Sequence, residues 1–142
     1  MNILIIEDDP WYAEVLKYIL GKTYHLTVCS TLAHGRKAMQ NSRWDAVLID
    51  LSLPDSDREQ TLDELKKERR GAALIIVTAY NEPSFRERML LQNADGYVCK
   101  GEDDAPEELD YIIHRAVESR RTIGNIEATR IRLENRNHEL HQ

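Results

Sequence analysis

Five short apolar runs, separated by segments with helical character, limit how this chain can fold. The runs cover residues 3–6, 25–29, 46–49, 73–77 and 96–99. Three of them are continuously apolar rather than alternating, which is typical of parallel strands that helices cover on both faces. This alternation of runs and helical segments predicts a doubly wound α/β domain with right-handed crossovers.

Helix boundaries are marked by prolines, polar caps and glycines. The predicted helices begin near residues 10, 31, 58, 83 and 106. Asp9 is expected to cap the first helix and Gly21 to end it. The third helix is expected to run from about Arg58 to Arg70, and the fourth is expected to carry the apolar residues Phe85, Met89 and Leu90.

The net charge and the two cysteines indicate which classes of protein this chain is unlike. A formal net charge of -6 disfavours direct nucleic-acid binding, which usually needs a basic face. Cys29 and Cys99 lack the spacing of metal ligands and fit a reducing cytoplasm better than a disulfide scaffold. The sequence shows no signal-peptide pattern and no apolar segment near the ~20 residues that span a bilayer. We therefore predict a cytoplasmic location without membrane contact.

Polar residues with complementary chemistry follow four of the predicted strands. Because functional crevices of such folds lie at the carboxyl ends of the strands, these side chains are expected to meet. Converging carboxylates suit a hard cation such as Mg²⁺, and a carboxylate can act as a nucleophile towards phosphorus. A lysine and a hydroxyl would bind the phosphoryl oxygens. The predicted site is a phosphoryl acceptor built from Glu7, Asp8, Asp50, Thr78 and Lys100.

Four segments, residues 5–10, 48–54, 77–79 and 96–100, closely resemble the receiver domain of bacterial response regulators. Their order and spacing match that family over about residues 1–120. The resemblance implies a five-stranded parallel sheet in the order 2-1-3-4-5 with flanking helices. It also implies a two-component phosphorelay, in which a histidine kinase or a phosphotransfer protein donates the phosphoryl group.

The resemblance also implies the roles of the acidic residues. Asp50 matches the phosphoacceptor, which also contacts the metal. Asp8 matches a direct Mg²⁺ ligand, and Glu7 matches an acidic residue that acts partly through water. Ser52 matches the position whose backbone carbonyl completes the metal site. Asp9, by contrast, is expected only to cap the helix that follows.

Three further residues match the parts of a receiver that respond to phosphorylation. Thr78 matches the hydroxyl that binds the phosphoryl group, and Lys100 matches the lysine that pairs with it. Tyr97 matches the aromatic residue whose rotamer follows the threonine, with permanent packing in the core as the alternative. Two positions depart from the family pattern, because Gly101 replaces a proline and Arg58 replaces a glycine.

The segment 121–142 extends past the end of a normal receiver and favours a helix. A heptad counted from Ala116 has d positions that are apolar after Ser119, whereas its a column includes Arg130 and Asn137. The d positions are Ser119, Ile126, Leu133 and Leu140. We predict that the fifth helix continues as a parallel coiled-coil linker of a homodimer. The alternative is a single charged helix that frays after Gly124, and the resemblance leaves open a downstream output domain or protein.

The sequence thus favours a signalling receiver that assists only its own phosphorylation and dephosphorylation and is not a turnover enzyme. One rival is a Mg²⁺-dependent aspartyl-phosphate phosphatase, which needs a second acid where Ser52 stands. Another is an interaction module independent of phosphorylation, which would lack Asp8, Asp50 or Lys100. A nucleotide-binding protein is disfavoured because no strand is followed by a glycine-rich phosphate loop.

Overall fold

The apolar runs form the strands of a parallel sheet in the computed structural model, which describes residues 1–79 and 82–140, without the side chains of 138–140. Strands and helices alternate along the chain. The elements are β1 (Asn2–Ile6), α1 (Pro10–Leu20), β2 (His25–Cys29), α2 (Leu32–Asn41), β3 (Ala46–Ile49), α3 (Arg58–Glu68), β4 (Ala73–Thr78), α4 (Pro83–Leu91), β5 (Gly96–Cys99) and α5 (Pro106–Leu140). The strand order is β2-β1-β3-β4-β5, as predicted.

Two hydrophobic clusters cover the two faces of the sheet. Alternate residues of β1 point to opposite faces, so Leu4 and Ile6 belong to one cluster and Ile3 and Ile5 to the other. The first cluster receives side chains from α2, α3 and α4. The second receives side chains from α1 and α5. The continuous apolar character of β1, β3 and β4 follows from this burial on both faces.

Side-chain caps fix the N-termini of the first two helices at the positions that the sequence suggests. The Asp9 side chain accepts a hydrogen bond from the Trp11 amide at 3.0 Å, which confirms its predicted capping role. The Thr31 hydroxyl accepts one from the His34 amide at 3.2 Å at the start of α2. Each bond satisfies an amide that has no partner within its own helix.

The third helix ends earlier than predicted, and the fourth helix exposes one of its three named apolar residues. α3 ends at Glu68 rather than at Arg70, because Arg70 and Gly71 adopt left-handed backbone angles with φ of 50° and 86°. Two such residues in succession cannot continue a right-handed helix. In α4, Phe85 and Met89 are buried in the core, whereas Leu90 is 42% exposed.

The last helix continues far beyond the sheet, as predicted. α5 has 35 residues, and its first part packs on the sheet through Leu109, Ile113, Ala116 and Val117. The described side chains from Arg121 onwards are exposed. The division of the chain at residue 120 remains a prediction, and the Leu140 side chain, with residues 141–142, lies outside the described part. No helix in the described part of the chain is long and apolar enough to cross a membrane.

Candidate functional site

The predicted carboxylates meet where β1 and β3 end. Ile6 is aligned with Ile49 across the two strands, and the Asp50 amide donates to the Ile6 carbonyl at 3.1 Å. Carboxylate oxygens of Glu7, Asp8 and Asp50 all lie within 4.8 Å of one another. Glu7 and Asp50 are buried, whereas Asp8 is exposed. The sheet therefore presents three carboxylates together, one of them directly accessible to solvent.

Lys100 brings a positive charge to the two buried carboxylates. It follows β5, and its amide donates to the carbonyl of Thr78 at 2.8 Å. Its Nζ lies 3.0 Å from Asp50 Oδ2 and also pairs with Glu7 Oε1. The lysine side chain is only 15% exposed, so little water separates these charges. The attraction between them is correspondingly strong.

The pKa values of the two buried carboxyl groups move in opposite directions. Burial, reinforced by the charge of Asp50, raises the pKa of Glu7 from 4.5 to about 7, against the opposing effect of Lys100. Burial alone would raise the pKa of Asp50 too, but hydrogen bonds from Ser52 and Lys100 outweigh it, and that pKa is lowered. Asp50 is therefore the carboxylate that stays ionised at neutral pH, as a nucleophile must.

Ser52 makes contacts with Asp50 that the sequence did not indicate. Its amide donates to Asp50 Oδ1 at 2.9 Å, and its hydroxyl donates to the same oxygen at 2.6 Å. These two bonds fix the orientation of the carboxylate. The predicted role of the Ser52 carbonyl as a metal ligand remains a prediction.

The other two predicted residues, Thr78 and Tyr97, lie on the neighbouring strands β4 and β5, and both are buried. Thr78 is the last residue of β4, is 4% exposed and is aligned with Cys99, which places it at the same sheet edge as Lys100. Tyr97 is 3% exposed and lies edge-on to Phe85, with ring centroids 6.2 Å apart. Tyr97 therefore lies inside the core beneath α4, and the proposed roles of both residues remain predictions.

Tyr12, which was not among the predicted site residues, also contacts Lys100. The ring centroid of Tyr12 lies 4.5 Å from Lys100 Nζ, a cation–π distance, and its hydroxyl donates to Asp104 Oδ2 at 3.0 Å. Burial and the Asp104 carboxylate raise the pKa of Tyr12. The available signal was spacing, because Tyr12 continues the buried stripe of α1 one turn before Leu16.

The β5–α5 loop is ordered by acidic side chains where the family has a proline. Gly101 adopts a φ of 83°, which glycine takes at little cost. Its amide donates to Asp104 Oδ2 at 2.9 Å, and the amide of Cys99 donates to Asp103 Oδ2 at 2.9 Å. The other departure, Arg58, opens α3 as an ordinary helical residue. Neither substitution removes a residue from the site.

A comparison with protein-family models matches residues 3–113 to the response regulator receiver domain. The chain belongs to this family. Among curated proteins, the receiver is 32% identical over 102 residues to the probable C4-dicarboxylate response regulator DctR of Bacillus subtilis, covering 70% of this chain and 45% of that protein. The chain spans about half the length of the curated relatives it matches.

Solved structures give the same family. The receiver superimposes with a TM-score of 0.74 on a CheY-like receiver domain protein from Methanospirillum hungatei, at 27% identity, covering 85% of this chain and 96% of that one. With the receiver domain of sensor histidine kinase PA1611 from Pseudomonas aeruginosa, the TM-score is 0.71 at 26% identity, with coverage of 82% and 97%. A magnesium ion is coordinated in the active-site cleft of the PA1611 domain.

The acidic cluster of this receiver has the donor chemistry that a hard cation requires. Glu7, Asp8 and Asp50 offer only carboxylate oxygens, within 4.8 Å of one another. Mg²⁺ prefers oxygen ligands and usually keeps several waters. The exposed side of the cluster, at Asp8, gives room for those waters. The residues present therefore fit magnesium.

Proposed function

We propose that this receiver domain accepts a phosphoryl group on Asp50 from a histidine kinase or a phosphotransfer protein, in a reaction that requires Mg²⁺. The observation that carries the proposal is the contact between Asp50 Oδ2 and Lys100 Nζ, which are 3.0 Å apart. This contact lies beside the carboxylates of Glu7 and Asp8. It combines an ionised nucleophile with a cation suited to phosphoryl oxygens. The proposed location is the cytoplasm, where such a donor would meet the domain.

In the proposed step, an Asp50 carboxylate oxygen attacks the phosphorus of a phosphohistidine. A P–O bond forms, the P–N bond breaks, and the electron pair returns to the histidine nitrogen of the donor. Ser52 orients the carboxylate through two hydrogen bonds to Oδ1. Lys100 stabilises the negative charge of the transferring group. The product is an aspartyl phosphate, which adds negative charge beside Lys100 and Thr78.

The magnesium ion would be held by Asp8, Asp50 and the backbone carbonyl of Ser52, with Glu7 acting partly through water. When bound, it would neutralise charge on the phosphoryl oxygens during transfer. The magnesium in the cleft of the PA1611 receiver supports this assignment. The raised pKa of Glu7, at about 7, fits a carboxyl group whose ionised form gains from an added cation.

The response to phosphorylation is proposed to begin at Thr78 and Lys100. The new phosphoryl oxygens would compete with Glu7 for Lys100 and would attract the Thr78 hydroxyl. Tyr97 lies on the neighbouring strand β5, packed against Phe85, and its rotamer is proposed to follow a shift of the threonine. The surface formed by α4, β5 and α5 would then change, as a population shift between two states.

We also propose that the extended part of α5 pairs with a second copy of the chain as a parallel coiled coil. Ile123, Ile126 and Leu133 are 46%, 62% and 56% exposed, and heptad spacing places them on one stripe. A long isolated helix gains little stability by itself and needs a partner to bury such a stripe. Because the pattern is self-complementary, a second copy is the partner that satisfies it.

The phosphorylated state would differ in dimer geometry or in affinity for a partner, and a downstream output domain or protein would respond to that difference. The domain itself is proposed to assist only its own phosphorylation and dephosphorylation. An aspartyl-phosphate phosphatase is disfavoured, since Ser52 occupies the position of its second acid and cannot protonate a leaving group. An interaction module independent of phosphorylation is disfavoured because Asp8, Asp50 and Lys100 are all retained.

Intact-mass spectrometry after incubation with acetyl phosphate and Mg²⁺ tests the proposal. The wild-type chain should gain one phosphoryl group, and Asp50→Asn should gain none. Asp57→Asn is the matched control, since Asp57 is exposed in the following loop and should leave the mass gain unchanged. Omission of Mg²⁺ should abolish the gain. Unchanged labelling of Asp50→Asn would refute the assignment, and steady release of phosphate from a panel of phosphate monoesters would favour the phosphatase.

A further inference from the structure

The loop between β3 and α3 contacts α2, a helix that contains none of the site residues. Asp55 lies in this loop, five positions after Asp50, and its carboxylate reaches the N-terminus of α2. Asp55 Oδ1 accepts a hydrogen bond from the Leu32 amide at 3.0 Å, and Oδ2 accepts one from the Ala33 amide at 3.1 Å. The contact joins two segments more than 20 residues apart in the chain.

These bonds complete the first turn of α2. The amides of Leu32, Ala33 and His34 have no acceptors within the helix. The Thr31 hydroxyl satisfies the amide of His34. Asp55 satisfies the other two, so this N-terminus depends on a carboxylate from another loop. The bond from Leu32, followed by that from Ala33, lowers the pKa of Asp55, as expected for a charge at the positive end of a helix.

On the other side of Asp55, the loop leads directly back to the site. The amide of Leu53 donates to the carbonyl of Asp50 at 3.4 Å, and the amide of Ser56 donates to the carbonyl of Leu53 at 3.0 Å. Leu53 is buried, with 2% exposure. The loop between Asp50 and Asp55 is therefore short and fixed at both ends. Ser52, which bonds to Asp50, lies in the middle of it.

We propose that Asp55 is a positioning residue, which fixes the loop carrying Ser52 to α2 and thereby holds the Asp50 carboxylate in its reactive orientation. This inference rests on the proposed function, because the orientation matters only if Asp50 is the acceptor. Asp55 does not contact the acceptor itself, and its effect on the site passes through the loop backbone. Groups of this kind commonly affect metal affinity and reactivity through the ligands they orient.

The matched pair Asp55→Ala and Thr31→Ala separates positioning from helix capping. Both substitutions remove acceptors from the same helix N-terminus, but only Asp55→Ala releases the loop. Three quantities are measured on the 142-residue chain at a temperature where circular dichroism shows every variant folded. They are amide hydrogen exchange in residues 51–57, the affinity for Mg²⁺ from tryptophan fluorescence, and the rate of mass gain with acetyl phosphate.

We expect faster exchange in the loop for Asp55→Ala alone, together with roughly tenfold weaker Mg²⁺ binding and slower labelling. Equal effects of the two substitutions on the loop or on the site would overturn the proposal, since capping alone would then explain them. Faster exchange without any change at the site would overturn it as well. A wild-type chain that neither binds Mg²⁺ nor gains a phosphoryl group would instead refute the proposed function, while hydrogen exchange would still test the attachment of the loop.

Discussion

Lys100 and Asp50 are 50 residues apart in the sequence, and their Nζ and Oδ2 atoms are 3.0 Å apart in the structure. The same ammonium group also pairs with Glu7. One cation therefore compensates two buried carboxylates, which would otherwise repel each other across the ends of β1 and β3. This arrangement links the stability of the metal-free domain to the chemistry of its site.

Lys100→Met should destabilise the metal-free protein by about 2 kcal/mol, because it leaves two buried carboxyl groups, of which Asp50 is ionised, without their cation. Urea unfolding in the presence of EDTA measures this loss. Mg²⁺ should recover much of it, since the metal would bind the same carboxylates. Lys17→Met is the control, because Lys17 pairs with the exposed Glu14 on α1 and such surface pairs contribute little. Equal losses in the two variants would contradict the argument.

The pH dependence of stability should show the titration of Glu7. Its pKa is raised from 4.5 to about 7, so the folded protein holds a proton that the unfolded chain has released between these values. The stability associated with this proton is complete below pH 4.5 and is lost as the pH rises through about 7. The slope for one group is at most about 1.4 kcal/mol per pH unit.

Glu7→Gln should remove this slope, and the measurement is the difference in unfolding free energy from wild type between pH 5 and 7 without metal. The lowered pKa of Asp50 and the raised pKa of Lys100 lie outside this window. Burial raises the pKa of Asp95 as well, but Asp95 is common to both proteins and cancels in the difference. The exposed Glu14→Gln variant serves as the reference. Parallel pH curves for wild type and Glu7→Gln would show that Glu7 is already ionised.

Sequence reasoning located the site because strand ends in a parallel sheet are neighbours by geometry. Once β1, β3, β4 and β5 were recognised, Asp8, Asp50, Thr78 and Lys100 had to lie along one edge. The continuous apolar pattern of the strands, which follows from burial on both faces, made that recognition possible.

Other features depended on side-chain geometry that no local pattern encodes. Whether the Lys100 ammonium group pairs with Glu7 as well as with Asp50 depends on the conformation of the loop after β5. The hydrogen bonds that Asp55 accepts from the first amides of α2 join segments that are separated by β3. The early end of α3 was set by a left-handed conformation at Arg70, which is uncommon for a residue other than glycine.

Two glycines in helices should respond in opposite directions to alanine. A Cβ at Gly35 would lie 2.7 Å from Cγ1 of the buried Ile6 and closer still to its Cδ1, so Gly35→Ala should cost about 1–3 kcal/mol through overpacking between α2 and β1. A Cβ at Gly124 would meet no atom of the described residues within 4 Å outside the backbone of its own helix, and alanine favours a helix by ~1 kcal/mol. Thermal unfolding should therefore show a lower midpoint for Gly35→Ala and no loss for Gly124→Ala. A stable Gly35→Ala protein would contradict the close packing of α2 on β1.

The oligomeric state should depend on one stripe of the extended helix rather than on its general hydrophobicity. Ile126 and Leu133 occupy d positions, whereas Ile131, which is 47% exposed, lies at a b position outside the stripe. Arg130 interrupts the a column, but its guanidinium pairs with Glu127 and with Glu134 of its own helix, so its charge is compensated without a partner chain.

The double variant Ile126→Asn with Leu133→Asn should therefore be monomeric by light scattering at concentrations where the wild type is dimeric, because polar groups buried in the seam lose their hydration. Ile131→Asn should remain dimeric, since a b position faces solvent in a coiled coil. A chain ending at Arg121 should also be monomeric. Dimers that persist in the truncated chain would place the interface on the folded domain, and equal dissociation of the Ile131→Asn variant would show that the heptad assignment is wrong. The extended helix is identified as the dimer interface only if the Ile126 and Leu133 substitutions dissociate the dimer and the Ile131 substitution does not.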